Sequence, residues 1–584
     1  MDKPNREYIR RIKRARKLFF EKGSLVSLAD ILQRVETFYS GRDCIVERVK
    51  KQVITHTADE FCADVRALSA FLVNNGFCGN VAIVGENSYS WLVSFFAVTC
   101  AGFVAVPLDR ELPDRQLVRL AEKADCTAFL FSRTYKNAAE AFCENTKRLA
   151  LCLDKEDFCA ALKSGKELLR NGYTIEKYLK VESDDPAAIV FTSGTTGENK
   201  GVVLSHRNIV SNVQGVLNVI EPVFSAISVL PMNHTYELSC CVLPAICLGS
   251  VLYINDSFRH FQKNLREFQP EAMAAVPLIP DNIYETIIKK AEEKGKLQLL
   301  MKTVGFSNFL RRFGIDLRKL LFKDIMKSFG YRFPMMSVGG APVNTKRVGF
   351  LSSLGFDIYV GYGLTEASPI VTINPDVFHC PDSVGRCAGD AECRIFDPDS
   401  DGVGEIAVRG SNVTKGYYKD EKATEVSFKD GWFLTGDYGR LDKKGRLHIS
   451  GRKKNLIILD NGKNICPEAI EDFFTENSPL FKEAVVLERT KTVSKESTKL
   501  LVLAVSVDAE YCKNKTAAQI HDEALAQVYR LNRQLPSYEH ISDVMAVSHE
   551  FKKTSTLKII RRSVEKEYEE YEKQKEKVLC LKEL

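Results

Sequence analysis

At 584 residues the chain is long enough for more than one hydrophobic core, and its 45% hydrophobic and 27% charged content is ordinary for a soluble globular protein. A formal net charge of +6 over that length argues against a dedicated nucleic-acid binder, so no nucleic-acid partner is expected. The 17 cysteines are scattered without Cys-x-x-Cys pairs, which points to reduced thiols in a cytoplasmic protein rather than to zinc or a disulfide framework.

Residues 1–22 carry nine lysines and arginines against three acids, and Tyr8, Ile12, Ala15 and Phe19 fall on one helical face. Two readings follow for this basic amphipathic helix: packing on its own protein, or peripheral contact with the inner face of the cell membrane. No apolar stretch follows the basic residues, so it is not a secretory signal. From about residue 25 to 180, apolar strands alternate with helical stretches. Segment 81–84 precedes 91–98, segment 104–108 precedes a helix near 115–123, and 128–131 follows. Such alternation predicts an α/β fold with parallel sheet and helices on its faces.

An apolar run, 187–191, then breaks into Thr192, Ser193, Gly194, Thr195, Thr196 and Gly197, with Lys200 close behind. Two glycines let successive N–H groups point one way, three threonine hydroxyls add donors, and the lysine supplies charge, so the loop is suited to phosphate. It is not the nucleoside-triphosphatase P-loop, because Glu198 and Asn199 stand between the second glycine and the lysine. Ser205 is placed to cap a helix carrying Ile209, Val213, Val216 and Ile220 on one face, and a helix N-terminus beside the loop would add its dipole to anion binding.

Strand 226–230 leads into Leu230-Pro-Met-Asn-His-Thr-Tyr-Glu237, where a lone His234 is by itself more often a packing residue than a site residue. The apolar run 238–254 is short for a membrane span and is broken by Ser239, Pro244, Gly249 and Ser250, so buried helix and strand are expected. Residues 294–332 hold ten basic residues and two acidic ones among Leu, Phe, Met and Ile, which suits either a solvated helical region or a patch at a lipid interface. Strand 335–338 runs into Gly339-Gly340-Ala341-Pro342, and strand 357–360 into Gly361-Tyr362-Gly363-Leu364-Thr365-Glu366, which lacks the third glycine of a dinucleotide motif. Short strands and turns fill 404–451. Beyond Arg452 a second unit begins, a compact α+β domain with strands 484–487 and 500–507, a helix 517–531, and a solvated helix over the last twenty residues.

The segment Thr192-Ser-Gly-Thr-Thr-Gly-Glu-Asn-Lys-Gly201 resembles the Ser-Gly-Thr-Thr-Gly-x-x-Lys-Gly loop of the adenylate-forming superfamily, and the Gly102–Asp109 segment resembles its Gly-x-x-x-x-Pro-Leu-Asp segment. The form Leu-Pro-x-x-His-x-Tyr-Glu is most similar to the long-chain acyl-CoA synthetases, which makes His234 a neighbour of the carboxylate substrate. The resemblance implies an adenine and phosphate platform at Gly340, Ala341, Pro342, Gly361, Tyr362, Gly363 and Thr365, with Glu366 and Thr195 as ligands of Mg2+. It implies ribose recognition by Asp437 and Arg452, a hinge at Lys454 and a mobile catalytic lysine at Lys558, with Lys552 and Lys553 as alternatives, since Leu557 stands where the family form has glycine.

The implied architecture is a large N-terminal AMP-binding domain of layered sheets and helices, 1–452, and a smaller mobile C-terminal domain, 453–584. The implied reaction joins a carboxylic acid, above all a long-chain fatty acid, to the thiol of coenzyme A at the expense of ATP, through acyl-AMP, with Lys200, Thr195, His234, Glu366 and Lys558 as catalytic residues. An acyl carrier protein as acceptor, an aromatic or medium-chain acid, and a non-catalytic nucleotide-binding or membrane-interaction protein stay as alternatives. The joint presence of Lys200, Glu366, Asp437, Arg452 and Lys558 speaks against the last.

Overall fold

The computed structural model describes residues 6–49, 52–144, 148–175, 180–193, 199–329, 335–458, 464–493, 496–553 and 559–582. Two compact units emerge: one of residues 1–393 and 407–433, the other of 394–406 and 434–584.

The first unit is built on two sheets. A six-stranded sheet runs in the order Leu149–Cys152, Cys126–Phe131, Asn80–Val84, Val104–Pro107, Pro186–Ser193 and Asn199–Ser205. The first five strands are parallel, as the alternation of strand and helix requires, and the last is antiparallel to its neighbour. The second, nine-stranded sheet has Ile358–Gly363, Met335–Val338, Ala272–Ala275 and Ser225–Ser228 as parallel neighbours at its centre. One core joins both sheets to the helices Leu28–Tyr39, Ala58–Asn74, Tyr89–Cys100 and His206–Leu217. Every residue of Tyr89–Cys100 except Ser90 is buried, so this helix, apolar on all sides, is an interior layer. The run 238–254 is likewise interior, with the helical turns Leu238–Val242 and Leu243–Cys247 followed by the strand Val251–Ile254.

The N-terminal helix, Arg6–Glu21, packs on its own unit. Phe19 is fully buried and stacks on Tyr39 at 5.4 Å, and buried Arg16 donates to the carbonyls of Leu248 and Val223.

In the second unit a three-stranded sheet, Phe481–Val493, Glu496–Val507 and Ile541–Val547, alternates its side chains between two faces. Val486, Leu501, Leu503 and Val505 pack on the helices Pro467–Asn477 and Ala517–Asn532. Val485, Leu487, Val502 and Ala504 pack on Phe551 and on Val564 and Tyr568 of the helix Arg561–Lys582. This corrects the expectation of a wholly solvated terminal helix: Tyr568 is fully buried, because the second face of a three-stranded sheet needs a cover.

Candidate active site

The glycine and threonine loop joins two antiparallel strands. Pro186–Ser193 and Asn199–Ser205 pair in a register that sets Thr192 opposite Lys200 and Ser193 opposite Asn199. Gly194, Thr195, Thr196 and Gly197, and the side chain of Ser193, lie outside the described residues. Ser205 caps the helix His206–Leu217 through a reciprocal capping box with Asn208, as its sequence position predicts. The helix does not start at the loop, however. Ser205 pairs with Pro186 at the far end of the hairpin, and seven strand residues at ~3.3 Å each carry it on the order of 20 Å away. A dipole acts within its first turn, so the expected contribution of this helix to anion binding is withdrawn.

Lys200 is half-buried, and its ammonium lies 4.9 Å from the centre of the Tyr417 ring. Tyr417 belongs to a segment laid along the outer strand of the hairpin, with Val203 N donating to Gly416 O at 3.1 Å and Tyr418 N to Gly201 O at 2.7 Å. Its hydroxyl donates to Glu366 Oε1 at 3.0 Å. Burial and the Glu366 carboxylate push the Tyr417 phenol well above its ordinary range, so it remains a donor. Tyr417 escaped the sequence reading because Gly-Tyr-Tyr-Lys-Asp reads as turn texture, and only the fold sets it between Lys200 and Glu366.

Glu366 sits in the single turn Thr365–Ala367, immediately after the strand Ile358–Gly363. Two buried asparagines hold this turn from behind. Asn212 Nδ2 donates to Ala367 O and Ile370 O at 3.2 and 2.8 Å, and Asn412 Nδ2 donates to the same two carbonyls at 3.0 and 2.8 Å. Thr414 N also donates to Glu366 O at 2.8 Å. Polar side chains at 208 and 212 on an otherwise apolar helix face were the available signal for this network.

Strands Met335–Val338 and Ile358–Gly363 are parallel neighbours with Val338 beside Val360, so Gly340, Ala341 and Pro342 leave the sheet next to Gly361, Tyr362 and Gly363. Gly340 adopts φ +83°, and a Cβ there would meet nothing within 4 Å, which leaves open space over the backbone. Gly363 has a different reason: a Cβ would stand 2.0 Å from Pro369 O, so packing alone demands glycine. Thr365 and Tyr362 are half-buried beside them.

His234, half-buried, opens the short helix Thr235–Glu237. Tyr236 donates to Ser337 O at 2.7 Å, which ties this segment to the strand that feeds Gly340. Ser337 also lines a mainly apolar cavity with Ile220, Val223, Cys240, Cys241 and Met273. Glu237 points away into the core, fully buried, and accepts from Val229 N at 3.1 Å; burial pushes its carboxyl up to about 8.

Asp437 and Arg452 belong to the second unit, where they face each other across the strands Trp432–Leu441 and Leu447–Arg452 with Arg452 Nε 2.8 Å from Asp437 Oδ1. Partial burial and the guanidiniums of Arg452 and Arg561 hold the Lys454 ammonium below its ordinary range. Lys558 lies outside the described residues, but residues on either side of it, up to Lys553 and from Ile559, are described. Lys553 bridges Ile559, Ile560 N donates to Lys552 O at 2.8 Å, and Arg561 donates to both oxygens of Glu471 at 2.5 and 2.6 Å. Lys553 is itself paired with Glu483 at 2.5 Å and Glu550 at 3.1 Å, whereas Lys552 is exposed.

The chain matches the model of the AMP-binding enzyme over residues 33–418 and that of the AMP-binding enzyme C-terminal domain over 454–573. Long-chain-fatty-acid–CoA ligase 5 of Rattus norvegicus is 29% identical over 439 residues, 69% of this chain and 64% of that protein. Long-chain-fatty-acid–CoA ligase FadD15 of Mycobacterium tuberculosis is 27% identical over 460 residues, 74% of this chain and 75% of that one. The chain thus spans less than two thirds of the former's length. In fold it is similar to ATP-bound MatB from Rhodopseudomonas palustris, with a TM-score of 0.73 at 22% identity over 92% of this chain and 99% of that one. It is also similar to o-succinylbenzoate CoA synthetase (MenE) from Bacillus subtilis with its acyl-adenylate, at TM-score 0.69 and 20% identity over 91% of this chain and 97% of that one. With a family match covering more than half its length, the chain belongs to the AMP-binding enzymes, the adenylate-forming superfamily that includes the acyl-CoA synthetases.

Proposed function

We propose that this enzyme is an AMP-forming acid–thiol ligase that activates a long-chain fatty acid and transfers the acyl group to coenzyme A. The observation that carries the ligase reading is the joining of Lys200 and Tyr417 to Glu366, on the turn that follows the strand Ile358–Gly363, and the long-chain acid is taken from the resemblance to the long-chain ligases. ATP lies along Thr192, the 193–197 loop, Lys200 and the 340–365 platform. Asp437 accepts the ribose hydroxyls, and Arg452 serves ribose and phosphate. The acid's head group meets His234, half-buried at the start of the short helix Thr235–Glu237.

Glu366 suits Mg2+: it is a hard oxygen donor whose Oε1 accepts from Tyr417, and Thr195 would be the second ligand. When bound, the ion would offset the phosphate charge that repels an incoming carboxylate.

In the first half-reaction a carboxylate oxygen attacks the α-phosphorus, the bond to the bridging oxygen breaks, and pyrophosphate leaves. Lys200 and Lys558 meet the negative charge that builds on the phosphates, so the protein's part is positioning and charge stabilisation. In the second, the small domain turns about Lys454 and withdraws Lys558. The thiol of coenzyme A, its proton lost, then attacks the acyl carbon and AMP departs.

The test is mass spectrometry of the products formed from ATP, Mg2+ and a mixture of carboxylic acids, with and without coenzyme A. Long-chain acyl-CoA formed only with coenzyme A is the expected result. Acyl-AMP that accumulates in both reactions would move the acceptor to a carrier protein, and preferential consumption of an aromatic or short acid would overturn the long-chain assignment.

A further inference from the structure

The geometry points to a peripheral membrane-docking face on the helices between residues 294 and 329, with an anionic lipid bilayer as its occupant. This inference is independent of the ligase reading. The helix Leu297–Arg311 has two apolar sides. Leu300, Val304 and Ser307 turn inward, whereas Leu299, Phe306, Phe309 and Phe313 lie outward at intervals of seven, three and four residues, with Lys302 on the same stripe. These four are 63%, 57%, 58% and 70% exposed, and the rings of Phe309 and Phe313 lie edge to face at 5.2 Å. Ile315, Leu320 and Leu321, in the segment that follows, are exposed as well. An ordinary surface helix presents charge on that side, and a continuous exposed patch of large apolar residues marks an interaction surface.

Charge decides what the surface fits. Lys294, Lys296, Lys302, Arg312, Lys319 and Lys323 make no ion pair among the described residues. Of the two acids in the segment, Asp316 is neutralised by Arg318 at 2.8 Å, and Asp324 lies 3.8 Å from Lys327. Phenylalanine and leucine side chains ringed by basic groups on long stems match the boundary between acyl chains and anionic head groups. A second copy is a poor occupant, because a two-fold contact would set like charges against each other. No helix among the described residues is long and apolar enough to cross a membrane, so the contact is peripheral. The N-terminal helix differs: Phe19 and Arg16 on its inner face are engaged by the protein itself.

Vesicle sedimentation tests this with the full chain and sucrose-loaded phosphatidylcholine vesicles with and without phosphatidylglycerol, at low and high salt. Binding to the phosphatidylglycerol vesicles, weakened by salt, is expected. Phe306→Ser/Phe309→Ser/Phe313→Ser and Lys302→Glu/Arg312→Glu should each weaken it by about tenfold or more, with the melting temperature unchanged. Three results would overturn the proposal: no binding to anionic vesicles, binding untouched by the triple substitution, or loss of binding only on Lys13→Glu/Lys17→Glu in the N-terminal helix. A wild-type dimer that the triple substitution converts to monomer would reassign the face to self-association.

Discussion

The hydroxyl of Tyr417 donates to a carboxylate oxygen of Glu366 across 3.0 Å, while the ammonium of Lys200 stands 4.9 Å from the centre of the same ring. One aromatic side chain thus touches both the cation proposed to meet the phosphates and the carboxylate proposed to hold the metal. Tyr417→Phe keeps the ring and removes the donor. A hydrogen bond to a charged group is worth about 1.5–3 kcal/mol, so pyrophosphate release should fall by roughly tenfold or more. The Mg2+ concentration for half-maximal rate should rise, and stability should fall by no more than that same amount. Unchanged Mg2+ dependence would refute a role for this hydrogen bond in metal binding.

Lys558 and Lys553 separate cleanly by substitution. Lys558→Ala should slow acyl-AMP formation by about a hundredfold or more, the scale of removing a group that stabilises transition-state charge, at unchanged stability. Lys553→Ala should do the reverse, sparing the rate and destabilising by about 1–3 kcal/mol, because Glu483 loses its cation. Stopped-flow pyrophosphate release and denaturant titration read the two effects.

Asp437 is almost fully buried against Arg452. A double-mutant cycle with Asp437→Asn and Arg452→Gln, read as KM for ATP and as stability, should give a coupling of about 1–3 kcal/mol. Additive effects would mean that the two residues act separately.

Glu237 gives a pH signature. Its carboxyl is raised to about 8 by burial, so between the ordinary carboxylate range and that value the folded protein holds a proton that the unfolded chain has released. Stability from this group therefore falls as pH rises through that window, by at most about 1.4 kcal/mol per pH unit. Glu237→Gln should remove the dependence, so its stability relative to wild type should grow from pH 5 to pH 8 in denaturant titrations. A constant difference would show that Glu237 does not titrate there.

The fold was legible where pattern and burial agree. Apolar runs at 81–84, 104–108 and 335–338 are strands, and Ser205 begins a helix. The hairpin was missed because Asn199-Lys-Gly-Val-Val-Leu-Ser205 combines a motif with a strand, and the motif drew the reading. Tyr568 was missed because a Glu- and Lys-rich helix hides one buried edge. Tyr417, Asn212 and Asn412 were illegible for a different reason: their roles depend on partners 51, 155 and 45 residues away, which no local pattern carries.

The turn that presents Glu366 is gripped by two amide groups, and neither carries charge nor titrates. Ionic strength screens charged contacts but leaves such dipolar ones nearly intact. Salt that strips the protein from a lipid surface, or weakens its hold on polyphosphate, should therefore leave the mounting of this carboxylate undisturbed. The position of the Glu366 carboxylate should accordingly be the part of the site that concentrated salt changes least.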